Sequence, residues 1–294
     1  MTMKQYTISW NNHRLGLGEK TCIMGILNVT PDSFSDGGRF SDPDVALARG
    51  EKMVEDGAGI IDIGGESTRP FSEAVSEEEE TRRVVPIIEK LARRIPVPIS
   101  VDTNKSGVAR RAIEAGAAII NDISAFRMDP DMVGVAAKYQ VPVVLMHMKG
   151  TPDNMQVAPE YGDLLGDIRG FFEAVIAQAV NGGVKRSNII IDPGIGFGKT
   201  IAHNLCLINR LDAFEALDVP ILVGSSRKAF IRNILKGEGP EAPDAMSPIV
   251  GTGTQATVAA SVLRGAHIVR VHDVAGTRAT VNLIDAIRNV PDTP

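Results

Sequence analysis

The sequence predicts an α/β protein that folds as a single (β/α)₈ barrel with a short N-terminal hairpin. Eight apolar runs each stop at polar residues, helical periodicity fills most of the intervals between them, and the chain is 294 residues long. Short apolar strands that alternate with helices indicate βαβ units and hence a parallel sheet. Eight such units in a chain of this length match a barrel, whose active site lies at the carboxyl ends of the strands.

The eight strands are predicted from these runs, in chain order. They fall at about 22–28, 60–64, 97–102, 118–122, 141–147, 188–192, 220–224 and 267–272, and the preceding segment at about 5–20 is predicted to form the hairpin at the floor of the barrel. Each run ends in residues of the kind that carry chemistry, such as GILN, PISVD and IIID. The predicted strand ends therefore define a predicted site.

The helices follow from apolar periodicity and from their end signals. Pro43 suits a first helical turn because its missing N–H is not needed there. We predict helices at about 43–57, 76–94, 105–115, 130–139 and 163–182, then one after strand 6, one from 226, one at 249–264 and one after strand 8. The loops after strands 1, 2 and 5 are long, and long loops in a compact domain are more often functional than not.

Composition excludes several classes of function. The net charge of −5 argues against a nucleic-acid footprint, and no apolar stretch is long enough to span a bilayer. The first residues lack the apolar core of a secretion signal, and Cys22 and Cys206 are too few for a disulfide framework. We therefore expect one domain over residues 1–294, acting in the cytoplasm without a nucleic-acid or membrane partner.

Some motifs have a simpler interpretation than a functional one. GIGFGKT resembles a phosphate-binding loop, but that motif requires glycine at the position of Pro193. The acidic run at residues 77–80 sits at a predicted helix start, where carboxylates suit the helix dipole, and we expect it to be a solvated face. The sequence contains no cluster of cysteine and histidine residues of the kind that predicts a catalytic zinc site.

One group of predicted strand-end residues suits a flat heterocycle. Asp102, Asn121, Asp192 and Lys228 follow strands 3, 4, 6 and 7, and burying these groups is costly unless a ligand supplies partners. An amino-pyrimidinone edge would do so, because carboxylates accept from its amine and ring N–H and the lysine donates to its carbonyl or ring nitrogen. Met146 and Phe197 either cover the faces of such a ring or belong to the core.

A second group favours an anion. Arg270 and His272 lie two residues apart at the end of strand 8, so they share one face, while Arg69 follows strand 2 and Asn28 ends strand 1. Barrels often bind phosphate at their last strands. Asn28 could also give an oxygen to Mg²⁺, which shares its ligands with substrate phosphates. No activated nucleophile is visible, which favours direct displacement of diphosphate.

The motifs that surround these residues carry a family resemblance. MGILNVTPDSFSDGG, DIGGESTRP, SVDT, NDIS, DPGIGFGK, GSSRK and RVHDV occur in this order. Together they closely resemble the dihydropteroate synthase family over about residues 20–290. The resemblance implies that a pterin diphosphate and p-aminobenzoate are condensed with release of diphosphate, with Mg²⁺ as cofactor and a homodimer as the assembly.

The resemblance also assigns roles to residues. It implies that Asp102, Asn121, Asp192 and Lys228 hold the pterin, that Arg270, His272 and Asn28 hold the diphosphate, and that Thr68, Arg69 and Pro70 shape the p-aminobenzoate pocket. Asp36, in the first loop, is a candidate to stabilise a pterin cation or to orient the amine. Arg69 and Lys228 are candidates for catalysis as well as binding.

The chain departs from the family's sequence pattern at two positions, and two alternative functions use the same fold. The family usually has glycine where this chain has Phe71 and serine where it has Ala229, so we expect an altered affinity for p-aminobenzoate or sulfonamides. A methyltetrahydrofolate–corrinoid methyltransferase uses the same barrel, but it does not need Lys228 together with Arg270 and His272. A non-catalytic pterin-binding homologue would be expected to have lost some of these residues.

Overall fold

The computed structural model describes residues 3–30, 43–66, 75–151, 155, 159–237, 239 and 241–290. The strands are β1 (Tyr6–Trp10), β2 (His13–Leu17), β3 (Cys22–Asn28), β4 (Ile60–Gly64), β5 (Ile99–Asp102), β6 (Ile119–Asp122), β7 (Val143–Met146), β8 (Ile189–Asp192), β9 (Leu222–Val223) and β10 (Ile268–Val271). The α-helices are α1 (Pro43–Asp56), α2 (Glu77–Leu91), α3 (Ser106–Glu114), α4 (Met132–Tyr139), α5 (Leu164–Asn181), α6 (Ile201–Asn209), α7 (Ala229–Leu235), α8 (Pro248–Leu263) and α9 (Val274–Arg288).

Eight parallel strands form the predicted barrel. Their order around the sheet is β8-β7-β6-β5-β4-β3-β10-β9, so neighbours in the chain are mostly neighbours in space. A parallel bridge between Ile191 and Ile221 closes the ring, and Ile191 N donates to Pro220 O at 3.0 Å. Strand β9 has two residues where we predicted five, and this bridge takes over part of its pairing.

The strands are apolar because both of their faces are covered. Every residue of β4 and of β8 is buried, as expected where helices pack outside a barrel and side chains fill its inside. The helices contribute one apolar stripe each, such as Val84, Ile87 and Ile88 of α2. The polar residues at the strand ends therefore stand out against a continuous hydrophobic core.

The hairpin prediction is confirmed, and the hairpin packs on the amino-terminal side of the barrel. Strands β1 and β2 pair from Tyr6↔Leu17 to Trp10↔His13 and bury Ile8, Trp10 and Leu17 in the core. The carbonyl of Lys4 lies 3.1 Å from Nε2 of His267, which precedes β10. The hairpin thus covers the end of the barrel opposite to the predicted site.

The acidic run at the start of α2 is not wholly a solvated face, and that expectation was wrong. Ser76 caps the helix by accepting from Glu79 N at 3.2 Å. Glu80, however, lies on the same stripe as Val84 and is fully buried. Its Oε2 atom forms an ion pair with Lys105 at 2.7 Å.

Within the described residues, no helix is long and apolar enough to cross a membrane.

Candidate active site

The strand register brings the predicted polar residues to the carboxyl ends of neighbouring strands. Asn28 pairs with Gly64, Gly64 with Asp102, and Asp102 with Asn121, while Met146 pairs with Asp192 further round the ring. Asn121 pairs with Val144, so Met146 and Asp192 lie two residues further toward the carboxyl ends than the register of Asn121. The carboxyl ends of β3, β5, β6, β7 and β8 therefore present these side chains at one mouth.

A buried chain of charged and polar groups links four of the strands. Asp62 in β4 accepts from Asn121 Nδ2 at 3.1 Å and from Arg270 Nε at 2.6 Å. Arg270 also donates through Nη2 to Asp102 at 2.5 Å. Burial alone would lower the pKa of Arg270, but Asp62 and Asp102 outweigh it and raise that pKa. Burial raises the pKa of Asp102 to about 7 despite the opposing effect of Arg270.

Asp62 was missed by the sequence analysis. It lies inside the apolar run IIDIG and is fully buried. A carboxylate in the middle of a strand that is otherwise apolar is the signal that could have revealed it, because such a group needs a buried partner. That partner, Arg270, is 208 residues away in the chain.

Asp192 and Lys228 lie on the other side of the mouth. Asp192 Oδ1 accepts from Gly194 N at 2.7 Å, and burial raises the pKa of its carboxyl, against the lowering effects of that N–H group and of Lys228. Burial lowers the pKa of Lys228 to about 7, while Asp192 opposes this change. The ammonium of Lys228 stands 3.8 Å from the centre of the Phe197 ring.

A small apolar cluster, separate from the main core, borders these charges. It contains Met146, Ile123, Met148 and Met155, with Phe197 packed against it. Methionine side chains adapt their shape and contact aromatic rings favourably. The cluster therefore supplies an apolar wall beside the carboxylates, and the covering of a ring by Met146 and Phe197 stays a prediction.

The segment GIGFGKT folds against the loop after β7. Gly194 has φ +68°, and a Cβ atom there would lie 1.9 Å from the carbonyl oxygen of His147. Lys199 is 3% exposed and reaches Phe197 O at 2.9 Å and His147 Nδ1 at 3.0 Å. Burial lowers the pKa of Lys199 to about 7. Lys199 and His147, which sequence reasoning left without a role, thus support the wall that holds Phe197.

The predicted anion-binding residues are only partly brought together. Nδ1 of His272 lies 2.9 Å from Ser226 Oγ, and Asn28 is half-buried at the end of β3. Arg270 points to the carboxylates of Asp62 and Asp102 (the ion pairs given above) and uses Nε and Nη2 for them. Its assignment to a diphosphate stays a prediction.

The magnesium prediction rests on one protein oxygen. Within the described residues, no three His, Cys, Asp or Glu side chains are grouped so that they could hold a metal ion. Mg²⁺ commonly keeps several waters and binds through few protein oxygens together with substrate phosphates. The amide oxygen of Asn28 therefore fits an ion that binds together with a diphosphate.

Several predicted residues lie outside the described part of the chain. They are Asp36, Thr68, Arg69, Pro70 and Phe71. Ala229 is described and begins α7, directly after Lys228. The predicted roles of these residues stay predictions.

Comparison with known proteins identifies the relatives of this chain. The family described as "Pterin binding enzyme" matches residues 24–272. The dihydropteroate synthase of Bacillus subtilis is 48% identical over 275 residues, which cover 94% of this chain and 91% of that protein.

Solved structures give the same answer. The Xanthomonas albilineans dihydropteroate synthase with 4-aminobenzoic acid has a TM-score of 0.88 and 40% identity, covering 98% of this chain and 100% of that one. The Yersinia pestis dihydropteroate synthase with a sulfonamide drug complex has a TM-score of 0.87 and 42% identity, covering 96% and 98%. This chain therefore belongs to the pterin-binding enzymes, within the dihydropteroate synthase family.

Proposed function

We propose that this chain is a transferase of folate biosynthesis, which joins 6-hydroxymethyl-7,8-dihydropterin diphosphate to p-aminobenzoate and releases diphosphate. The observation that carries the proposal is the strand-end group Asp102, Asn121, Asp192 and Lys228 in a chain of this family. The methyltransferase alternative is not favoured, because the matched relatives are dihydropteroate synthases. Action in the cytoplasm stays a prediction from the sequence.

The strand-end group would bind the pterin ring by matching donors to acceptors. Asp192 and Asp102 supply carboxylate oxygens for the amine and ring N–H groups, and Lys228 supplies a donor for an oxygen or ring nitrogen. A primary amine donates hydrogen bonds in both protonation states, so the lowered pKa of Lys228 does not remove this role. Met146 and Phe197 would contact the faces of the ring.

The reaction would then proceed by departure of diphosphate. The bond between the pterin methylene carbon and the diphosphate oxygen breaks, and its electron pair leaves with the diphosphate. His272, with Arg270 as a further candidate through its remaining N–H groups, would stabilise the leaving charge, and such preset groups usually make the largest catalytic contribution. Mg²⁺ bound through Asn28 would neutralise part of the same charge.

The second substrate would complete the exchange. The amine nitrogen of p-aminobenzoate bonds to the electron-poor methylene carbon and then loses one proton. An arylamine is already a competent nucleophile, so no strong base is required. We propose Thr68, Arg69 and Pro70 for the p-aminobenzoate pocket, with Asp36 beside the cationic carbon, and we expect Phe71 and Ala229 to modify sulfonamide affinity.

We further propose that two copies of the chain associate through α8 and α9. Ile249 and Leu263 on α8 and Leu283 and Ile287 on α9 are exposed, and the two helices pack against each other. Exposed apolar side chains grouped on adjacent helices commonly mark an interface. Leu283→Glu should halve the mass measured by light scattering, whereas Val180→Glu on the distant α5 should leave it unchanged. A monomeric wild type would refute this arrangement.

The proposed function is tested by product formation from both substrates with Mg²⁺. Lys228→Met should lower kcat/KM for the pterin diphosphate roughly tenfold to a hundredfold, because a buried donor to the ligand is lost. The control is Lys90→Met, an exposed lysine of α2, which should match wild type. Formation of dihydropteroate by the wild type supports the proposal. No product from the wild type, or full activity in Lys228→Met, contradicts it.

A further inference from the structure

Asp62 is a carboxylate in the middle of β4 whose partners lie on other strands of the barrel. It is fully buried, and its neighbour across the β4–β5 register is Ser100. One of its carboxylate oxygens, Oδ2, accepts from both Asn121 and Arg270, at 3.1 Å and 2.6 Å. A buried carboxylate with two such partners connects residues from β4, β6 and β10.

This contact fixes which way the Asn121 amide faces. An ionised carboxylate can only accept hydrogen bonds, so the NH₂ group of Asn121 must be the part that faces Asp62. The opposite orientation would place two oxygens against each other in a buried setting. The amide oxygen of Asn121 therefore lies on the branch that turns away from Asp62, where it acts as an acceptor.

The same carboxylate also fixes Arg270. Asp62 accepts from Nε, and Asp102 accepts from Nη2 at 2.5 Å, so two carboxylates on neighbouring strands bind one planar guanidinium. A planar group held at two nitrogens keeps little rotational freedom. Asp62 thus orients two residues of the mouth at once.

We propose that Asp62 is a positioning residue that sets the hydrogen-bonding polarity of the pterin pocket. By engaging the NH₂ group of Asn121, it makes Asn121 present an acceptor to the ligand, in line with the carboxylates of Asp102 and Asp192. Lys228 then supplies the charged donor among the four strand-end residues assigned to the ring. The pocket is matched to a heterocycle edge rich in N–H donors. This inference rests on the proposed function, because it assumes that the ring binds beside Asn121.

The test compares two substitutions at one position. Asp62→Ala removes the acceptor, frees the Asn121 amide to turn and releases Arg270 on one side. Asp62→Asn keeps an oxygen that can accept from both partners. The probe is 6-hydroxymethyl-7,8-dihydropterin, which lacks the diphosphate, so calorimetry reports on the ring pocket alone.

We expect Asp62→Ala to weaken binding of this probe at least about tenfold, since donors lose their buried acceptor. Asp62→Asn should recover most of that loss, and KM for p-aminobenzoate should change less than about threefold in both variants. The control is Asp285→Asn at the barrel floor, where Asp285 accepts from Thr21 N and Oγ1 at 2.8 Å. It should lower the unfolding temperature without changing probe affinity.

The outcomes separate this inference from the proposed function. Asp192→Asn is measured in parallel as a direct ligand contact. If Asp192→Asn weakens the probe and a folded Asp62→Ala does not, the positioning role of Asp62 is wrong and the pterin site stands. Equal weakening in Asp62→Ala and Asp62→Asn also contradicts the role, because the retained acceptor should rescue binding. If neither Asp192→Asn nor Asp62→Ala affects the probe, the pterin site itself is misplaced.

Discussion

Loss of the Lys105 ammonium should show how much a partly buried ion-pair network contributes to the stability of the barrel. Lys105 Nζ lies 2.6 Å from Glu66 Oε2 and 2.7 Å from Glu80 Oε2. The other oxygen of Glu66 accepts from Val75 N at 3.0 Å, so this carboxylate contacts both Lys105 and Val75. Burial raises the pKa of Glu80, and Lys105 opposes that rise. One cation therefore supports two carboxylates, one of them fully buried.

The magnitude follows from these contacts. Removing one partner of a buried ion pair costs about 3–5 kcal/mol, because the remaining charge is left uncompensated. The side chains of Lys105 and Glu66 are 23% and 18% exposed, so we expect Lys105→Met to lose about 3 kcal/mol, at the lower end. Without the lysine, the folded-state pKa of Glu80 lies further above its unfolded value. The variant should therefore lose more stability at pH 8 than at pH 5.5, where the carboxyl can be neutral.

The assay is urea unfolding at those two pH values. Glu80→Gln combined with Lys105→Met should recover part of the loss, because the buried charge is gone. Lys52→Met serves as control, since Lys52 pairs with Asp56 at 2.7 Å on the exposed face of α1 and its loss should change the free energy of unfolding little. A loss below about 1 kcal/mol in Lys105→Met, or an equal loss at both pH values, would refute the reasoning.

Two further predictions concern buried bases. His267 accepts from Ile221 N at 3.2 Å, and burial lowers its pKa from 6.5 to about 4. The neutral imidazole therefore contributes to the free energy of unfolding above pH 6.5, and this contribution is lost as the pH falls through 4. Between pH 7.5 and 5 the wild type should lose about 2 kcal/mol more than His267→Gln in urea unfolding; equal losses would contradict this. Burial lowers the pKa of Lys199 from 10.5 to about 7, so the wild type loses stability as the pH falls between these values. The stability of Lys199→Met relative to the wild type should therefore rise as the pH is lowered from 9 to 7.5, by at most about 1.4 kcal/mol per pH unit. A difference in stability that does not change with pH would count against a depressed pKa of Lys199.

The barrel and its strand ends were predictable because the pattern is local. A parallel strand buried on both faces is a continuous apolar run, and its polar end marks the mouth. The short β9 was not predictable, since its pairing depends on how β8 and β9 meet when the ring closes.

The site was predictable as a set of residues but not as a network. The orientation of Arg270 toward Asp62 and Asp102 depends on three strands far apart in the chain. Glu80 was misassigned because four successive acids look solvated, whereas a helix turns the fourth toward the core, beside Val84. Such partners are set by the assembled fold and not by neighbours in sequence.

The central claim is that this site separates diphosphate from a pterin and transfers the pterin to an arylamine. The most direct measurement is diphosphate release from 6-hydroxymethyl-7,8-dihydropterin diphosphate with Mg²⁺, with and without p-aminobenzoate. We predict rapid release that is matched by dihydropteroate formation when the amine is present and that is slowed roughly tenfold to a hundredfold in Lys228→Met. Tight pterin binding by the wild type without any release of diphosphate would contradict the account.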